Sequence, residues 1–86
     1  MKIINFGAIW CPACLVMSSR WKKIKELYPN LVIENYDFDM DVDEKEKYNI
    51  GKVLPVIIFL NNQNEEMERL VGEQSVDKLK EIIEKY

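Results

Sequence analysis

The 86-residue sequence predicts an α/β fold, a four-stranded mixed sheet with helices on both faces. The most apolar run, Pro55–Leu60, is typical of a central strand buried on both sides. A polar turn cluster, Asn61–Asn64, separates this run from a second strand-like segment and indicates a hairpin. Apolar residues at intervals of three and four mark helices elsewhere. The resulting order is β-α-β-α-β-β-α, in which a crossover helix joins a parallel pair of strands and a hairpin follows.

The first half of the chain predicts a strand, a helix and a second strand. Residues 2–6 form a short, mostly buried strand, and residues 31–38 form the next one. Pro12 suits the first turn of the intervening helix, because the missing proline N–H has no partner there. The dipeptide Pro29–Asn30 ends this helix. The apolar positions at helical spacing are Cys14, Met17, Trp21, Ile24 and Tyr28.

The acidic stretch Asp39–Glu46 predicts a short helix that is capped by Asp41 or Asp43 and runs to about Tyr48. Carboxylates are favoured at a helix N-terminus, which explains their density here. The spacing of the acids also resembles a calcium loop. The required glycine and closing glutamate of such a loop are absent in both possible registers, so we prefer the helix.

The C-terminal part predicts an edge strand, Glu66–Val71, which Gly72 ends, and a last helix that Ser75 caps. The sequence contains no repeat, linker or low-complexity segment, so we expect one domain over residues 1–86. The apolar stripe expected to face the core from the last helix comprises Val76, Leu79, Ile82, Ile83 and Tyr86.

Composition excludes several classes of function. The net charge of −3 and the pI of about 4.9 argue against nucleic-acid binding, which needs a basic face. The basic cluster from Arg20 to Lys25 is explained by a solvated helix face. The chain has no histidine, and so lacks the usual general base and the commonest zinc ligand. No run reaches the ~18 apolar residues of a membrane span.

The N-terminal residues bear on localisation. An apolar stretch after Lys2 is similar to a secretory signal, but Asn5, Gly7 and Pro12 interrupt it. Cleavage there would also remove both cysteines and a strand. We therefore expect the fold to start at Met1 and the protein to be cytoplasmic.

The two cysteines, Cys11 and Cys14, lie three positions apart where the first strand meets the first helix. With Pro12 at the first helical position, Cys11 falls at the N-cap. There the backbone N–H groups and the helix dipole favour a thiolate. We expect Cys11 to be the exposed nucleophile and Cys14 the shielded resolving thiol, a pairing suited to disulfide exchange.

Two other interpretations of the cysteines fit the sequence less well. Half of a Cys₄ zinc site would need a second pair of ligands, which only a dimer could supply. Two structural thiols would explain Cys14, but hardly Cys11 beside Trp10 and Pro12. We therefore expect no metal and no cofactor.

The chain resembles the thioredoxin family over nearly its whole length. Phe6–Cys14 (FGAIWCPAC) is similar to the family's active-site segment, with a tryptophan directly before the first cysteine. Val53–Pro55 before an apolar strand resembles the cis-proline loop, and Val71–Gly72 before a final helix matches the family's ending. The resemblance implies a thioredoxin-like fold for the single domain.

The resemblance also implies residue roles. Cys11 would attack a substrate disulfide and Cys14 would resolve the mixed disulfide. Pro55 would follow a cis peptide bond, and the backbone of Leu54 would hydrogen-bond a bound substrate strand. The predicted substrate-binding residues are Trp10, Pro12, Leu54, Pro55 and Gly72.

The sequence departs from the family pattern in informative ways. It lacks the usual first strand and helix, and is nearer to glutaredoxins in length. The residues expected for glutathione binding are absent, since Leu54 and the segment 72–75 occupy their places. Asn5 stands where thioredoxins keep a buried aspartate, and Asn35 replaces its lysine partner. An amide cannot accept a proton at neutral pH.

The resemblance implies a reductase of protein disulfides that a thioredoxin reductase-type donor recharges. Alternatives are a glutaredoxin-like, oxidase or isomerase role, or a non-catalytic module that binds a peptide strand through Trp10, Leu54 and Pro55. We expect a monomer with no nucleic-acid or membrane partner.

Overall fold

A computed structural model describes residues 1–86 and confirms the predicted order of elements. The sheet has the strand order β2-β1-β3-β4, in which β1 and β2 are parallel and the other two pairs are antiparallel. The fold is therefore the predicted four-stranded mixed sheet. The elements are β1 (Lys2–Gly7), α1 (Pro12–Leu27), β2 (Val32–Asp37), α2 (Val42–Lys47), β3 (Val56–Leu60), β4 (Glu66–Val71) and α3 (Val76–Lys85).

Strand β3 is the centre of the core, and all five of its residues are buried. Its alternating side chains point to opposite faces of the sheet and so divide the core into two clusters. The first core cluster lies under α1 and α3 and comprises Ile3, Met17, Trp21, Ile24, Leu31, Ile57, Phe59, Leu79 and Ile82. The second core cluster lies on the other face and comprises Ile4, Phe6, Ala8, Cys11, Leu54, Val56, Ile58 and Leu60.

Helix α2 differs from its prediction in how it is capped. Asp41 occupies the N-cap, but its carboxylate does not bond an N–H of the helix. Instead Asp41 Oδ2 accepts the N–H of Asp37 at 2.7 Å. The helix itself buries no residue, and Tyr48 and Ile50 behind it pack against the second core cluster. The acids thus order the connection between β2 and α2, and the predicted capping bond is wrong.

Helix α3 packs as predicted except at its last position. Leu79 and Ile82 are buried, and Val76 and Ile83 are partly buried against the first core cluster. Tyr86 is 53% exposed; it follows the last residue of the helix, and its hydroxyl donates to Glu68 of β4. No helix of the structure combines the length and apolar character that crossing a membrane requires.

Substitution Ser75→Ala should destabilise the fold through the N-terminus of α3. Ser75 Oγ accepts the N–H of Lys78 at 3.1 Å, so alanine would leave that donor without its cap. We expect the free energy of unfolding to fall by about 1 kcal/mol in urea denaturation. The control Ser19→Ala changes an exposed position inside α1, where alanine is the better helix former. An equal loss in both variants would contradict the capping role.

Candidate active site

The N-terminus of α1 is built around Cys11. This residue takes the predicted N-cap position with an extended backbone (φ −98°, ψ 109°), and Pro12 begins the helix. The Sγ of Cys11 accepts the backbone N–H of Cys14 at 3.3 Å, and its carbonyl accepts the N–H of Leu15 at 3.3 Å. A thiolate at Cys11 would therefore have a backbone donor and the positive end of the helix dipole beside it.

The two sulfur atoms lie side by side one helical turn apart. Both cysteines are free, and the thiol of Cys14 donates to Cys11 Sγ at a sulfur–sulfur distance of 2.6 Å. Only a small movement would bring the atoms to the ~2.05 Å of a disulfide bond. The arrangement can therefore cycle between a dithiol and an intramolecular disulfide.

The exposure of the two cysteines is the reverse of the prediction. Cys11 is only 5% exposed, because it packs into the second core cluster with Leu54 and Val56. Cys14 is partly exposed, since Gly7 on the neighbouring strand has no side chain to cover its sulfur. A Cβ built on Gly7 would lie 3.3 Å from Cys14 Sγ. The prediction of an exposed Cys11 and a more shielded Cys14 is wrong.

The protonation of Cys14 follows from its surroundings. Partial burial of the sulfur, followed by the hydrogen bond to Cys11, raises the pKa of the Cys14 thiol from 9.0 to about 11. Burial disfavours the charged form, and a thiol that donates a hydrogen bond holds its proton more firmly. Cys14 is therefore a neutral thiol at physiological pH.

The predicted cis-proline loop lies beside the cysteines. The Leu54–Pro55 peptide bond is cis, which confirms that prediction. Leu54 belongs to the same buried cluster as Cys11, and its backbone N–H and C=O form no hydrogen bond within the chain. Gly72, with φ +93°, donates its N–H to the carbonyl of Pro55 at 2.7 Å. The loop thus offers an unpaired backbone edge at Leu54 and is held in place from the end of β4.

Trp10 is fixed by contacts that the local sequence does not predict. Its Nε1–H donates to Asp39 Oδ2 at 2.6 Å, and its ring meets that of Phe38 edge-on at 6.2 Å. The ammonium group of Lys45 lies 4.2 Å from the centre of the Phe38 ring. These partners are some thirty residues away in the chain, and nothing in the local pattern around Asp39 distinguishes it from the acids beside it.

Exposed apolar side chains lie next in the chain to each part of this site. Trp10 is 56% exposed and precedes Cys11, while Val53 (61%) precedes Leu54. Val71 (52%) precedes Gly72. Pro12 is itself exposed at the start of α1. All five predicted substrate-binding residues therefore lie in the cysteine segment or in the two segments joined by the Gly72–Pro55 hydrogen bond.

A polar pair, Asn5 and Asn35, lies beneath α1. Asn5 Nδ2 donates to Asn35 Oδ1 at 3.1 Å, and the two residues are direct partners in the β1–β2 register. Asn5 Oδ1 is buried and has no hydrogen-bond partner. Asn5 alternates with Ile4 and Phe6 and so shares the face of β1 on which α1 packs. This position therefore holds a neutral amide and no acid.

A groove of about 370 Å³ lies beside Cys14, and no residue of the cis-proline loop lines it. It runs between the start of α1 and the end of β2. The residues that line the groove include Gly7, Ile9, Cys14, Leu15, Asp37 and Asp41.

Comparison with known proteins agrees with this geometry. The thioredoxin family model matches residues 1–85. The chain belongs to the thioredoxin family. Thioredoxin H7 of Arabidopsis thaliana is 31% identical over 82 residues, which cover 95% of this chain and 62% of the relative. A thioredoxin of Ophiophagus hannah is 30% identical over 84 residues, which cover 98% of this chain and 77% of the relative.

Solved thioredoxin structures share the fold. Thioredoxin-2 of a malaria parasite, described as a component of protein secretion machinery, superposes with a TM-score of 0.91 at 28% identity and covers 99% of this chain and 82% of its own. Reduced Schistosoma mansoni thioredoxin gives 0.86 at 28% identity, with 99% and 77% covered. The chain spans 62% and 52% of the two plant relatives, thioredoxin H7 and thioredoxin H4-2 of Oryza sativa.

Removal of the Cys11 side chain should lower the pKa of Cys14. In Cys11→Ala the hydrogen bond and the charge of Cys11 are lost while the burial of Cys14 remains. We expect the pKa of Cys14 to fall from about 11 towards 9.0 without reaching it. The measurement is thiolate absorbance in the far ultraviolet against pH, with the variant lacking both cysteines as the blank. An unchanged pKa would mean that burial alone sets it.

Proposed function

We propose that this chain is a thiol–disulfide oxidoreductase that reduces disulfides in other proteins through Cys11 and Cys14. The observation that carries the proposal is the pair of free thiols at the N-terminus of α1. Their sulfurs are 2.6 Å apart, and Cys11 Sγ accepts a backbone N–H. Membership of the thioredoxin family supports the same activity.

The reaction proceeds by two exchanges. The Cys11 thiolate attacks one sulfur of a substrate disulfide, a mixed disulfide forms, and the other substrate sulfur leaves with the bonding electron pair and takes a proton from solvent. Cys14 then loses its proton and attacks Cys11 Sγ, which releases the second substrate thiolate. The substrate gains two electrons and two protons, and the protein is left with a Cys11–Cys14 disulfide.

The substrate approaches along the cis-proline loop. The free backbone N–H and C=O of Leu54 suit an extended substrate strand, which would add its own main-chain hydrogen bonds. The exposed Trp10, held by Asp39, supplies a rigid apolar surface next to Cys11. Pro12 follows Cys11, Pro55 follows Leu54, and Gly72 is hydrogen-bonded to Pro55. We therefore assign these three residues to substrate contact as well.

The proposal also covers the electron donor and the cellular compartment. We infer that a thioredoxin reductase-type protein recharges the disulfide, and that residues 1–86 act as one monomeric domain in the cytoplasm. Two cysteines placed together suit a redox pair in a reducing compartment better than a disulfide-stapled secreted domain.

Turnover of insulin disulfides by the full chain tests the proposal. With dithiothreitol as donor, the wild type should accelerate insulin reduction, and Cys11→Ser should abolish the acceleration. Ser18→Ala, an exposed change on α1, should behave as the wild type. If Cys11→Ser keeps full activity, or the wild type has none, the proposal fails. Peptide binding without turnover in the wild type would instead identify a binding module.

The redox midpoint distinguishes the reductase from its alternatives. Trp10 lies beside Cys11, so its fluorescence should report oxidation during equilibration with thiol–disulfide buffers. We expect a midpoint of about −270 mV, the value of a general protein-disulfide reductant. A midpoint of about −200 mV or higher would assign the chain to a glutaredoxin-like or oxidising role.

Introduction of an acid at position 5 should speed the second exchange. Asn5 Oδ1 is buried beneath α1, where a carboxylate would hold a raised pKa and could accept the proton of Cys14. We expect Asn5→Asp to accelerate release of the substrate from the mixed disulfide by up to about a hundredfold at neutral pH. The measurement is stopped-flow exchange with a disulfide peptide.

The matched control is Asn35→Asp, which adds the same charge at the exposed neighbouring position of β2. It should change the rate of release much less. An unchanged rate in Asn5→Asp would show that loss of the Cys14 proton does not limit the reaction.

A further inference from the structure

The groove beside Cys14 takes no part in holding the disulfide substrate described above. Substrate contact involves Cys11, Trp10 and the cis-proline loop, whereas the groove is lined by Cys14 and by none of these residues. Its walls are apolar at Ile9 and Leu15, which are 87% and 66% exposed. A volume of about 370 Å³ is enough to accommodate a small molecule.

We propose that this groove admits a small cationic thiol, which attacks Cys14 Sγ in the oxidised protein and so regenerates the dithiol. The inference rests on the proposed function, because it needs the Cys11–Cys14 disulfide. It assigns a second electron donor to the same site, namely a small cationic thiol that attacks Cys14 Sγ.

Access favours attack at Cys14. Cys11 is 5% exposed and belongs to the second core cluster with Leu54 and Val56, so a small thiol has little access to it. Cys14 is partly exposed and lines the groove. The absent side chain of Gly7 leaves its sulfur open on this side, since a Cβ there would lie 3.3 Å away.

The leaving group favours the same direction. Attack at Cys14 expels Cys11, whose sulfur accepts the N–H of Cys14 at 3.3 Å at the positive end of a helix. Attack at Cys11 would expel Cys14, whose partial burial raises the pKa of its thiol and so disfavours the departing thiolate. Exchange is faster when the departing sulfur is the better stabilised thiolate.

The charges in the groove determine which kind of thiol it favours. Asp37 and Asp41 line the groove, and no basic side chain does. Neither carboxylate belongs to a salt bridge of the chain. Each has one oxygen engaged with backbone N–H groups, Asp37 with those of Asp39 and Met40, and Asp41 with that of Asp37. Their charges therefore remain to attract a positive group and repel an anionic thiol.

The chemistry balances as a two-electron reduction. The thiolate of the donor forms a bond to Cys14 Sγ, the Cys11–Cys14 bond breaks, and Cys11 leaves with the electron pair. A second donor thiolate attacks the donor sulfur of this mixed disulfide and expels Cys14 as a thiolate. Both protein thiolates take protons released by the two donor thiols, which end as a disulfide.

Mapping the first mixed disulfide tests the point of attack. Oxidised full-length protein is mixed with cysteamine, quenched in acid within milliseconds to seconds, labelled with N-ethylmaleimide and digested for mass spectrometry. We expect cysteamine on Cys14 and the label on Cys11. Cysteamine on Cys11 and the label on Cys14 at the earliest times would overturn the inference.

Rates test the groove and its charge. Trp10 fluorescence follows reduction by cysteamine and by the anionic 2-mercaptoethanesulfonate, each corrected for its thiolate fraction. We expect cysteamine to be about fivefold faster, the upper end of the effect of one solvent-exposed ion pair. Asp41→Asn should remove most of this preference, and Gly7→Ala should slow cysteamine severalfold.

The matched control for charge is Glu26→Gln, an exposed residue of α1 outside the groove, which should keep the preference. Equal rates for the two thiols in the wild type, or an equal change in Glu26→Gln, would overturn the charge assignment. If no Cys11–Cys14 disulfide forms or insulin is not reduced, the proposed function itself fails. If the disulfide forms and insulin is reduced, but cysteamine is found on Cys11, only this inference fails.

Discussion

The burial of β3 on both faces is the constraint on which the remaining structure depends. All five residues of Val56–Leu60 are removed from water, so their backbone groups must pair with β1 on one side and β4 on the other. Each buried aliphatic side chain contributes about 1.5–3 kcal/mol, and the alternation places one set under α1 and α3 and the other under the cysteine segment. The position of β3 therefore fixes the position of Pro55 and Leu54 at its start.

The site is assembled from the ends of elements that this core holds rigidly. Gly72 at the end of β4 donates to Pro55 at the start of β3, and Cys11 at the start of α1 lies in the same buried cluster as Leu54. None of these residues needs a long or flexible side chain to reach its partner. Positions set by strand pairing and helix packing vary less than positions set by loops, which suits a reaction that depends on the spacing of two sulfurs.

Much of the fold could be predicted from the sequence because its periodicities are local. The apolar run of β3, the turn at Asn61–Asn64 and the stripe of α3 each identify an element without reference to the rest of the chain. The cysteine pair and its proline likewise predict the N-cap geometry of α1. The cis bond before Pro55 came from the family resemblance, since proline alone predicts a trans bond at this position.

What the sequence could not predict depends on contacts between distant segments. The exposures of Cys11 and Cys14 are the reverse of the prediction because Cys11 packs in the buried cluster that contains Leu54, whereas Gly7 has no side chain to cover Cys14 Sγ. Neither Leu54 nor Gly7 is next in the chain to the cysteine concerned. Asp41 gives its carboxylate to the N–H of Asp37, although the pattern of acids predicts a cap for α2. Alternative backbone N–H donors to one carboxylate differ by too little energy for a local pattern to decide between them.

The amide pair beneath α1 has a physical consequence for the redox cycle. A buried carboxylate at position 5 would carry a desolvation cost of several kcal/mol unless a cation neutralised it, and Asn35 supplies none. Asn5 and Asn35 avoid that cost and keep this part of the core neutral at every pH. The Cys14 proton must then leave without an adjacent base, and the partial exposure of Cys14 in the groove gives it a direct route to water. Because Gly7 has no side chain over the Cys14 sulfur, water can reach the Cys14 thiol and take its proton. Exposure to water thus takes the place of the carboxylate that this site lacks.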